Sequence, residues 1–209
     1  NGGELLAISS SKRNYALNVK NSVAKINGGK LSADYVGGDY GMFVKSCADV
    51  HVYGGNVQGV AADSLSAITI SGGNIGGYSG ASGTKLTITG GTFVNTNWQN
   101  TRASSTSISD GTFDKEVNAD FLAKGCACVK NEDGTYGIAS GYIVTIGDVK
   151  YDTLSAAVAA ANAGDEIKVY DDITENDGNI KYILTKALTV RGAFGAGVKP
   201  VIKGSFAID

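Results

Sequence analysis

Four aspartates in the first third of the chain have the residue type needed for acid–base chemistry or calcium binding. Paired carboxylates act as general acid and base, or hold calcium through their oxygens, with a basic residue beside them. The four are Asp34, Asp39, Asp49 and Asp63. The first two flank glycine turns and the others lie in polar loop positions, where aspartate is an ordinary turn residue. The pattern therefore predicts no catalytic residue, and we expect that the chain is not an enzyme.

Histidine offers a second route to catalysis or metal binding. His51 is the single histidine, and it alternates with Val50 and Val52, so its side chain is predicted to point outward from a strand. One histidine supports neither a histidine-based metal site nor a Ser-His-Asp triad. We therefore expect His51 to be a surface residue.

The three cysteines leave at least one thiol unpaired within the chain. Cys126 and Cys128 are two residues apart in a predicted strand, so they share one face and cannot easily bond to each other. Cys47 could pair with either if the fold brought it close. A Cys-x-Cys pair could hold a metal ion, but a second pair of ligands is missing. Buried free thiols are the favoured interpretation and a disulfide between coils or subunits is the alternative, so no metal or cofactor is predicted.

Six aromatic residues in or near predicted loops could form a glycan-stacking surface. They are Tyr35, Tyr40, Phe43, Tyr53, Tyr78 and Trp98. Scattered aromatics more often pack as lids over a core. Glycans are therefore the second choice of partner.

The charge balance argues against two other partners. Eighteen basic residues face 20 acidic ones, a formal net charge of −2 without a basic stripe. Nucleic-acid binding therefore has little electrostatic support. No apolar run approaches the roughly 20 residues of a membrane span, and we expect no membrane insertion. Low charge with much Ser, Thr, Asn and Gly suits a secreted or cell-surface protein, so an extracellular location is expected.

The composition also indicates which elements must position these residues. Glycine accounts for 30 of the 209 residues, whereas proline occurs once. A helical bundle could not carry so much glycine at about 1 kcal/mol per interior position, and collagen needs abundant proline. A hydrophobic fraction of 43% argues against disorder as well. Repetitive all-β structure is the class that remains.

A repeat accounts for much of the glycine. Five segments follow the pattern apolar-x-apolar-x-Gly-Gly-x-apolar, although the last has Thr106 and Asp110 at two of the pattern positions. The second glycines, including a weaker copy at the start, are Gly3, Gly29, Gly55, Gly73, Gly91 and Gly111. The steps between them are 26, 26, 18, 18 and 20 residues.

Each repeat predicts a strand, a sharp bend and an arc of variable length. The alternation before the glycines indicates a half-buried strand, and the glycines allow a bend that other residues avoid. The apolar residues predicted to return to the interior after the bend are Leu31, Val57, Ile75, Phe93 and Phe113. Such a unit is one coil of a parallel β-helix, with equivalent strands stacked about 4.8 Å apart. A β-sandwich is the alternative, but it does not require the same corner after every strand.

The second part of the chain has a different pattern. Residues Phe121 to Ile138 predict a β-hairpin whose turn is Asn131 to Gly134. A helix is predicted from Leu154 to Ala163, capped by Asp152 or Thr153 and stopped by Gly164. Its apolar face would contain Leu154, Ala157, Val158 and Ala161. Short strands are predicted around the helix, from residue 143 to residue 208.

These segments resemble a known family. The run YDTLSAAVAAANAGDEIKVYDDIT, followed by LTKALTVRG, resembles the opening of pectin-lyase-like right-handed β-helices of the bacterial surface-protein type. The run ISDGTFDKEVNADFLAKGCACVKNEDGTYGI is similar to their closing element. The resemblance implies an all-β, right-handed parallel β-helix (solenoid) with one short capping α-helix and a β-hairpin. It also places Asp171 and Asp172 at a strand exit, which favours a turn over a paired carboxylate site.

The closing element precedes the opening element along this chain. Residues 1–140 are interpreted as the later coils and closing hairpin of one β-helix. Residues 141–209 are interpreted as the opening strand, capping helix and first coils of another, which a neighbouring subunit could complete. A window of a tandem array, a head-to-tail polymer subunit and a folded-back monomer all remain open.

The function expected from this arrangement is structural. We expect an extracellular structural or adhesive protein that associates with itself end to end into a fibre, or that forms part of a tandem surface array. A polysaccharide-binding or polysaccharide-cleaving domain is the alternative.

Overall fold

The computed structural model describes residues 3–8, 15–34, 40–63, 65–81, 83–94, 105–175, 178, 180–193 and 200–208. Strands make up 53% of the molecule, and parallel sheets stack into a β-solenoid of about seven turns. A short α-helix and a β-hairpin accompany the parallel strands. The predicted fold class, an all-β parallel β-helix with a helix and a hairpin, is confirmed.

Three rows of parallel strands form the first segment, residues 3–140, with strands numbered along the chain. The row before the glycine corners contains β3 (Val23–Ile26), β6 (Asp49–Val52), β9 (Ala67–Ile70) and the first parts of β12 (Lys85–Phe93) and β13 (Ser105–Phe113). The row after the corners contains β1 (Glu4–Ile8), β4 (Lys30–Asp34), β7 (Asn56–Val57), β10 (Asn74–Ile75) and the last parts of β12 and β13. The third row contains β2 (Leu17–Lys20), β5 (Met42–Lys45), β8 (Val60–Ala62) and β11 (Tyr78–Gly80).

The register of these strands follows the glycine repeat. In the row after the corners, the residue that follows each second glycine pairs with its equivalent in the next layer. The paired residues are Glu4 with Lys30, Lys30 with Asn56, Asn56 with Asn74, Asn74 with Thr92 and Thr92 with Thr112. Their separations equal the predicted steps of 26, 26, 18, 18 and 20 residues. Loops of different length are therefore accommodated without a change of register at the corner.

The corners require glycine for two physical reasons. At the five corners from Gly29 to Gly111 the second glycine has a positive φ, for example +94° at Gly55, a region that side chains avoid. A Cβ atom built on Gly55 would also lie 2.7 Å from the carbonyl oxygen of Gly29 in the layer below. The corner therefore combines an unusual backbone conformation with close stacking of backbone on backbone.

A continuous apolar core runs through the layers of the first segment. The five residues predicted to return to the interior after the corners are at most 6% exposed. Phe93 and Phe113 lie in successive layers, and their rings stack with centroids 4.8 Å apart. Met42, Val44 and Val60 contribute from the third row, and all three are fully buried. Each layer thus buries its apolar residues against the layers on both sides.

An antiparallel hairpin closes the first segment. A 3-10 turn at Ala119–Phe121 leads into β14 (Cys126–Lys130) and β15 (Tyr136–Ser140), which pair with each other. β15 also pairs antiparallel with the end of β13, through Phe113 and Tyr136. The predicted hairpin is confirmed.

The second segment, residues 141–208, contains two parallel layers below an antiparallel pair. The pair is β16 (Val144–Ile146) and β17 (Val149–Tyr151), followed by α1 (Leu154–Ala160). The first layer is β18 (Glu166–Val169), β19 (Ile173–Thr174) and β20 (Lys181–Leu184), and the second is β21 (Thr189–Gly192), β22 (Ile202–Lys203) and β23 (Ser205–Ile208). Each strand of the second layer pairs parallel with its equivalent in the first. The boundary predicted at residues 140 and 141 falls directly after β15.

The helix is shorter than predicted. Thr153 caps it as expected, since its hydroxyl accepts a hydrogen bond from the Ala156 amide at 3.1 Å. The predicted continuation to Ala163 is wrong, because α1 ends at Ala160 and Ala161 is extended, with ψ 148°. The Asn162 amide donates to the Asp165 carboxylate at 2.7 Å. This local bond competes with the helical hydrogen bonds and ends the helix one turn early.

Glu175 fixes α1 to the first parallel layer of its segment. Its carboxylate accepts hydrogen bonds from the Leu154 amide at 2.6 Å and from the Ser155 hydroxyl. The buried face of α1 contains Leu154 and Ala157, with Val158 half-buried beside them, as predicted, and Ala161 is buried directly after the helix ends. The helix therefore covers the apolar interior at the start of this segment.

Candidate functional site

The aspartates considered for catalysis have structural partners where they are described. The Asp63 carboxylate accepts hydrogen bonds from the Ser46 amide at 2.9 Å and the Ser66 hydroxyl at 3.2 Å, as a turn aspartate does. Asp49 lies in β6, on the same strand as His51. The side chain of Asp34, and Asp39 altogether, lie outside the described residues.

Asp171 and Asp172 form the turn between β18 and β19, and this turn contacts the first segment through Lys124. The Asp171 carboxylate accepts a hydrogen bond from the Asp172 amide at 2.7 Å. Asp172 accepts one from the Lys124 ammonium group at 2.7 Å and another from the Val201 amide at 2.9 Å. The hydrogen bond from Lys124 holds the pKa of Asp172 below its usual range. These contacts favour the predicted turn over a pair of catalytic carboxylates.

All three cysteines are free thiols, in different environments. Cys126 is buried, and the half-buried Cys128 accepts a hydrogen bond from the Val117 amide at 3.4 Å. Burial raises the pKa of both thiols, which lowers their reactivity. The interpretation as buried thiols is wrong for Cys47, which is exposed. Ser46 and Cys47 both have positive φ, and this local turn places the thiol at the surface.

The aromatic residues do not form a single surface. Tyr35 and Trp98 lie outside the described residues. Tyr78 is an interior residue, 5% exposed, and its burial raises the pKa of its hydroxyl far above the usual value. Phe43 is half-buried and stacks on Tyr15 with centroids 4.7 Å apart. Tyr40 is half-buried. The four described members of the set therefore differ in burial, from the core position of Tyr78 to an exposed position.

The exposed position is Tyr53, beside His51 on the outer face of the first row. Tyr53 is 49% exposed. Its ring lies nearly parallel to the imidazole of His51, with centroids 6.0 Å apart. The Nε2 atom of His51 is 3.4 Å from the Asp49 carboxylate. His51 is a surface residue, as predicted, and it forms with Tyr53 a small aromatic platform.

An open groove of about 530 Å³ adjoins this face of the solenoid. Its lining consists of corner glycines and four polar residues, Glu4, Lys30, Asn56 and Asn74. Glu4 and Lys30 form an ion pair at 2.7 Å, and the Asn74 side-chain amide donates to the Asn56 side-chain oxygen at 2.8 Å. Among the described residues, the lining of the groove therefore carries one carboxylate and one ammonium group, and its charge is balanced.

A junction between the two segments was not foreseen from the sequence. The Gly125 amide of the closing hairpin donates to the Tyr170 carbonyl at 2.6 Å, and the Tyr142 amide donates to the Gly125 carbonyl at 3.0 Å. Ala127, Tyr170 and Ala193 are buried together there. The Tyr142 and Tyr170 rings are 5.4 Å apart. The sequence signal is that two consecutive residues, Val169 and Tyr170, are apolar or aromatic, which breaks the alternation expected of a half-buried strand. Both are buried in the structure.

Charged side chains make further contacts at the junction. The Lys150 ammonium group lies 3.6 Å from the centroid of the Tyr142 ring, a cation–π contact. The ion pair of Lys124 with Asp172 joins the hairpin to the exit of β18. The junction thus combines two backbone hydrogen bonds, buried apolar residues and charged contacts, without a strand ladder between its described residues.

The second parallel layer of the second segment is uncovered on one side. Phe206 stacks on the buried Tyr182 of the layer before it, with centroids 5.0 Å apart. Nevertheless Phe206 is 43% exposed and Ile208 is 90% exposed. Within the described part of the chain, β21, β22 and β23 pair on one side only.

Two other kinds of site are absent from the described residues. They contain no group of three or more His, Cys, Asp or Glu side chains that could hold a metal ion. No helix among them is long and apolar enough to cross a membrane. No family model, curated protein or solved structure matches the chain. The class defined by the fold is a parallel β-solenoid.

Proposed function

We propose that the chain is a structural or adhesive β-solenoid protein of the cell exterior, working as a rigid rod. The observation that carries this proposal is the junction, where the closing hairpin of one segment packs against Tyr170 and Ala193, the residues directly after β18 and β21 of the next. Such a contact holds the two shorter stacks against each other. The resemblance of both elements to bacterial surface proteins supports the same role, as does the low fraction of charged residues.

A rod function follows from how the layers hold together. Each layer bonds to its neighbours through backbone hydrogen bonds and shares an apolar core with them, so stiffness accumulates along the stack. The junction adds hydrogen bonds of 2.6 and 3.0 Å and a buried cluster at the point where a hinge would otherwise form. The polar groups of the outer surface are left available for adhesion.

Electron microscopy of the purified chain tests whether the two segments form one rigid rod. We expect particles of one shape, with a narrow distribution of the angle between the two segments. Tyr170→Ala removes most of a side chain that is buried together with Ala127 and Ala193, and we expect it to broaden that distribution. Tyr15→Ala removes a tyrosine on another face and should leave the angle unchanged. A broad distribution in the unmodified chain would contradict the proposal.

Glycan binding is the second candidate function, and the exposed aromatic platform favours it. Aromatic rings bind the apolar faces of sugars, and Tyr53 and His51 present two nearly parallel rings. The groove beside them has balanced charge and amide groups that can pair with hydroxyls. These features suit a neutral glycan better than an acidic one.

Calorimetric titration with a soluble neutral hexasaccharide and with an oligogalacturonate tests this candidate. We expect binding of the neutral sugar, weakened about three- to tenfold by Tyr53→Ala because one ring contact is lost. Tyr15→Ala is the matched control and should bind as the unmodified chain does. Absence of binding to both sugars would exclude the candidate, and preference for the acidic sugar would contradict the charge argument.

A further inference from the structure

We infer that a cleft between the two segments binds a small aliphatic carboxylate, about the size of butyrate. The cleft has a volume of about 130 Å³. One wall comes from the chain around the 3-10 turn and from β14, and the other comes from β18, β21 and the residues directly after them. A ligand in the cleft therefore contacts both segments. The inference goes beyond the proposed structural role, because it concerns a small molecule.

Two cations lie side by side on the wall that the second segment contributes. Lys168 of β18 pairs in register with Arg191 of β21, and both line the cleft. Ile167 and Val169 are fully buried on either side of Lys168, so Lys168 points to the outer face of the sheet. Like charges directly opposite each other on neighbouring strands destabilise a sheet. An anion bound between the two cations would offset this repulsion.

The neighbouring carboxylates offset this positive charge only weakly. The Glu166 carboxylate is 4.0 Å from the Arg191 guanidinium group, and its buried Oε1 atom accepts no hydrogen bond from a described residue. No carboxylate of the described residues lies within 4.0 Å of the Lys168 ammonium group. A third cation of the same row, Lys150, lies over the ring of Tyr142. The row therefore has an excess of positive charge beside the cleft.

Apolar residues in both walls determine what kind of anion fits. Val117 and Leu122 of the first segment and Ala193 of the second line the cleft and are at most 4% exposed. A cavity of about 150 Å³ holds benzene, so a cleft of this volume takes a ligand of about six heavy atoms. Butyrate has this size, and it joins a carboxylate for the cations to an aliphatic chain for the apolar residues. A uronic acid is larger, which separates this ligand from an acidic glycan.

Glu116 places a negative charge on the wall opposite the two cations. It lies near the thiol of Cys128, because burial raises the pKa of Cys128 and the charge of Glu116 raises it further. A bound carboxylate would be attracted by Lys168 and Arg191 and repelled by Glu116. Removal of the Glu116 charge should therefore strengthen binding, whereas removal of either cation should weaken it.

Alkylation of Cys128 by iodoacetamide tests the cleft, because this thiol lies in its wall. Peptide mass spectrometry measures the alkylation rate while sodium butyrate replaces sodium chloride at constant ionic strength. We expect butyrate to slow alkylation of Cys128 in the millimolar range, since a ligand of about six heavy atoms makes few contacts. The exposed Cys47 should react at an unchanged rate. Inorganic phosphate should protect Cys128 at least about threefold less well, because it lacks an aliphatic chain. No protection of Cys128, equal slowing at both cysteines, or equal protection by phosphate would overturn the inference.

Three variants and a matched control test the charges in the same experiment. We expect Lys168→Gln and Arg191→Gln each to raise the butyrate concentration needed for protection about three- to tenfold. Glu116→Gln should lower it about two- to threefold. Lys85→Gln is the control, because Lys85 is an exposed strand lysine of the first segment whose register partners are uncharged, and it should change nothing. The rate without butyrate, measured for each variant, separates binding from a change in the thiol itself. Equal weakening by Lys85→Gln, or weaker binding by Glu116→Gln, would overturn the inference.

Discussion

Replacing Gly55 with alanine is expected to destabilise the solenoid by about 3 to 5 kcal/mol. Gly55 has φ +94°, a conformation that costs energy for a residue with a side chain. A Cβ atom there would lie 2.7 Å from the Gly29 carbonyl oxygen and 2.9 Å from the Gly28 carbonyl carbon. Both are backbone atoms of the layer below, so neither can move aside without disturbing the ladder. Strain within the corner and steric overlap between layers therefore add together.

Gly77→Ala is the matched control for this prediction. A Cβ atom on Gly77 would have no heavy atom within 4 Å, and its φ lies outside the positive region. We expect its stability to remain within about 1 kcal/mol of the unmodified chain. The measurement is urea denaturation followed by circular dichroism. If Gly55→Ala lowered the free energy of unfolding no more than Gly77→Ala, the layers would not stack backbone on backbone at the corner.

The corners were predictable because the repeat itself encodes them. Stacked layers place the same backbone geometry at the same position of every coil, and few residues other than glycine satisfy it. The spacing of the second glycines therefore predicts the register, and Asn56 pairs with Asn74 as the step of 18 residues requires. The interior positions followed from the same pattern, since Val57 and Ile75 are buried where the repeat places them.

Local competition between hydrogen bonds limited the prediction elsewhere. The alanine-rich run favours helix as far as Ala163, but the Asp165 side chain binds the Asn162 amide and ends α1 earlier. Cys47 lies in a turn whose positive φ values follow from the path of the chain and not from a recognisable glycine signal. In both cases a single side chain or turn outweighs the average preference of its segment.

Contacts between distant elements were not predictable from one sequence. Tyr170 contacts the closing hairpin, 45 residues earlier at Gly125, and no repeat relates the two positions. Likewise Tyr78 and Tyr53 are both tyrosines beside glycines, yet one lies in the core and the other is exposed. One half of the candidate platform was predictable from the sequence, since the alternation predicted that His51 points outward. The position of the platform beside the groove depends on how successive layers align. That alignment is visible only in the structure.

Phe93→Ala is expected to cost about 3 to 5 kcal/mol, the other large effect on stability. Phe93 is fully buried and stacks on Phe113 with centroids 4.8 Å apart and an interplanar angle of 16°. Truncation removes the ring from the interior between two layers, and the ladders on either side prevent the layers from closing the cavity. Part of the lost stability comes from the stacking of Phe93 on Phe113, because stacked aromatic rings contribute about 0.5 to 1.5 kcal/mol beyond their burial.

Three further variants separate these contributions in the same denaturation experiment. Phe43→Ala removes a half-buried ring from the outer face of β5 and should cost less than Phe93→Ala, because solvent can fill the space that it leaves. Phe113→Ala and the double variant complete a cycle in which the coupling should be about 0.5 to 1.5 kcal/mol. Equal losses for Phe43 and Phe93 would contradict a tightly packed core between layers. Zero coupling would mean that the two rings are buried independently, in which case neighbouring layers of the rod would not stabilise one another through this contact.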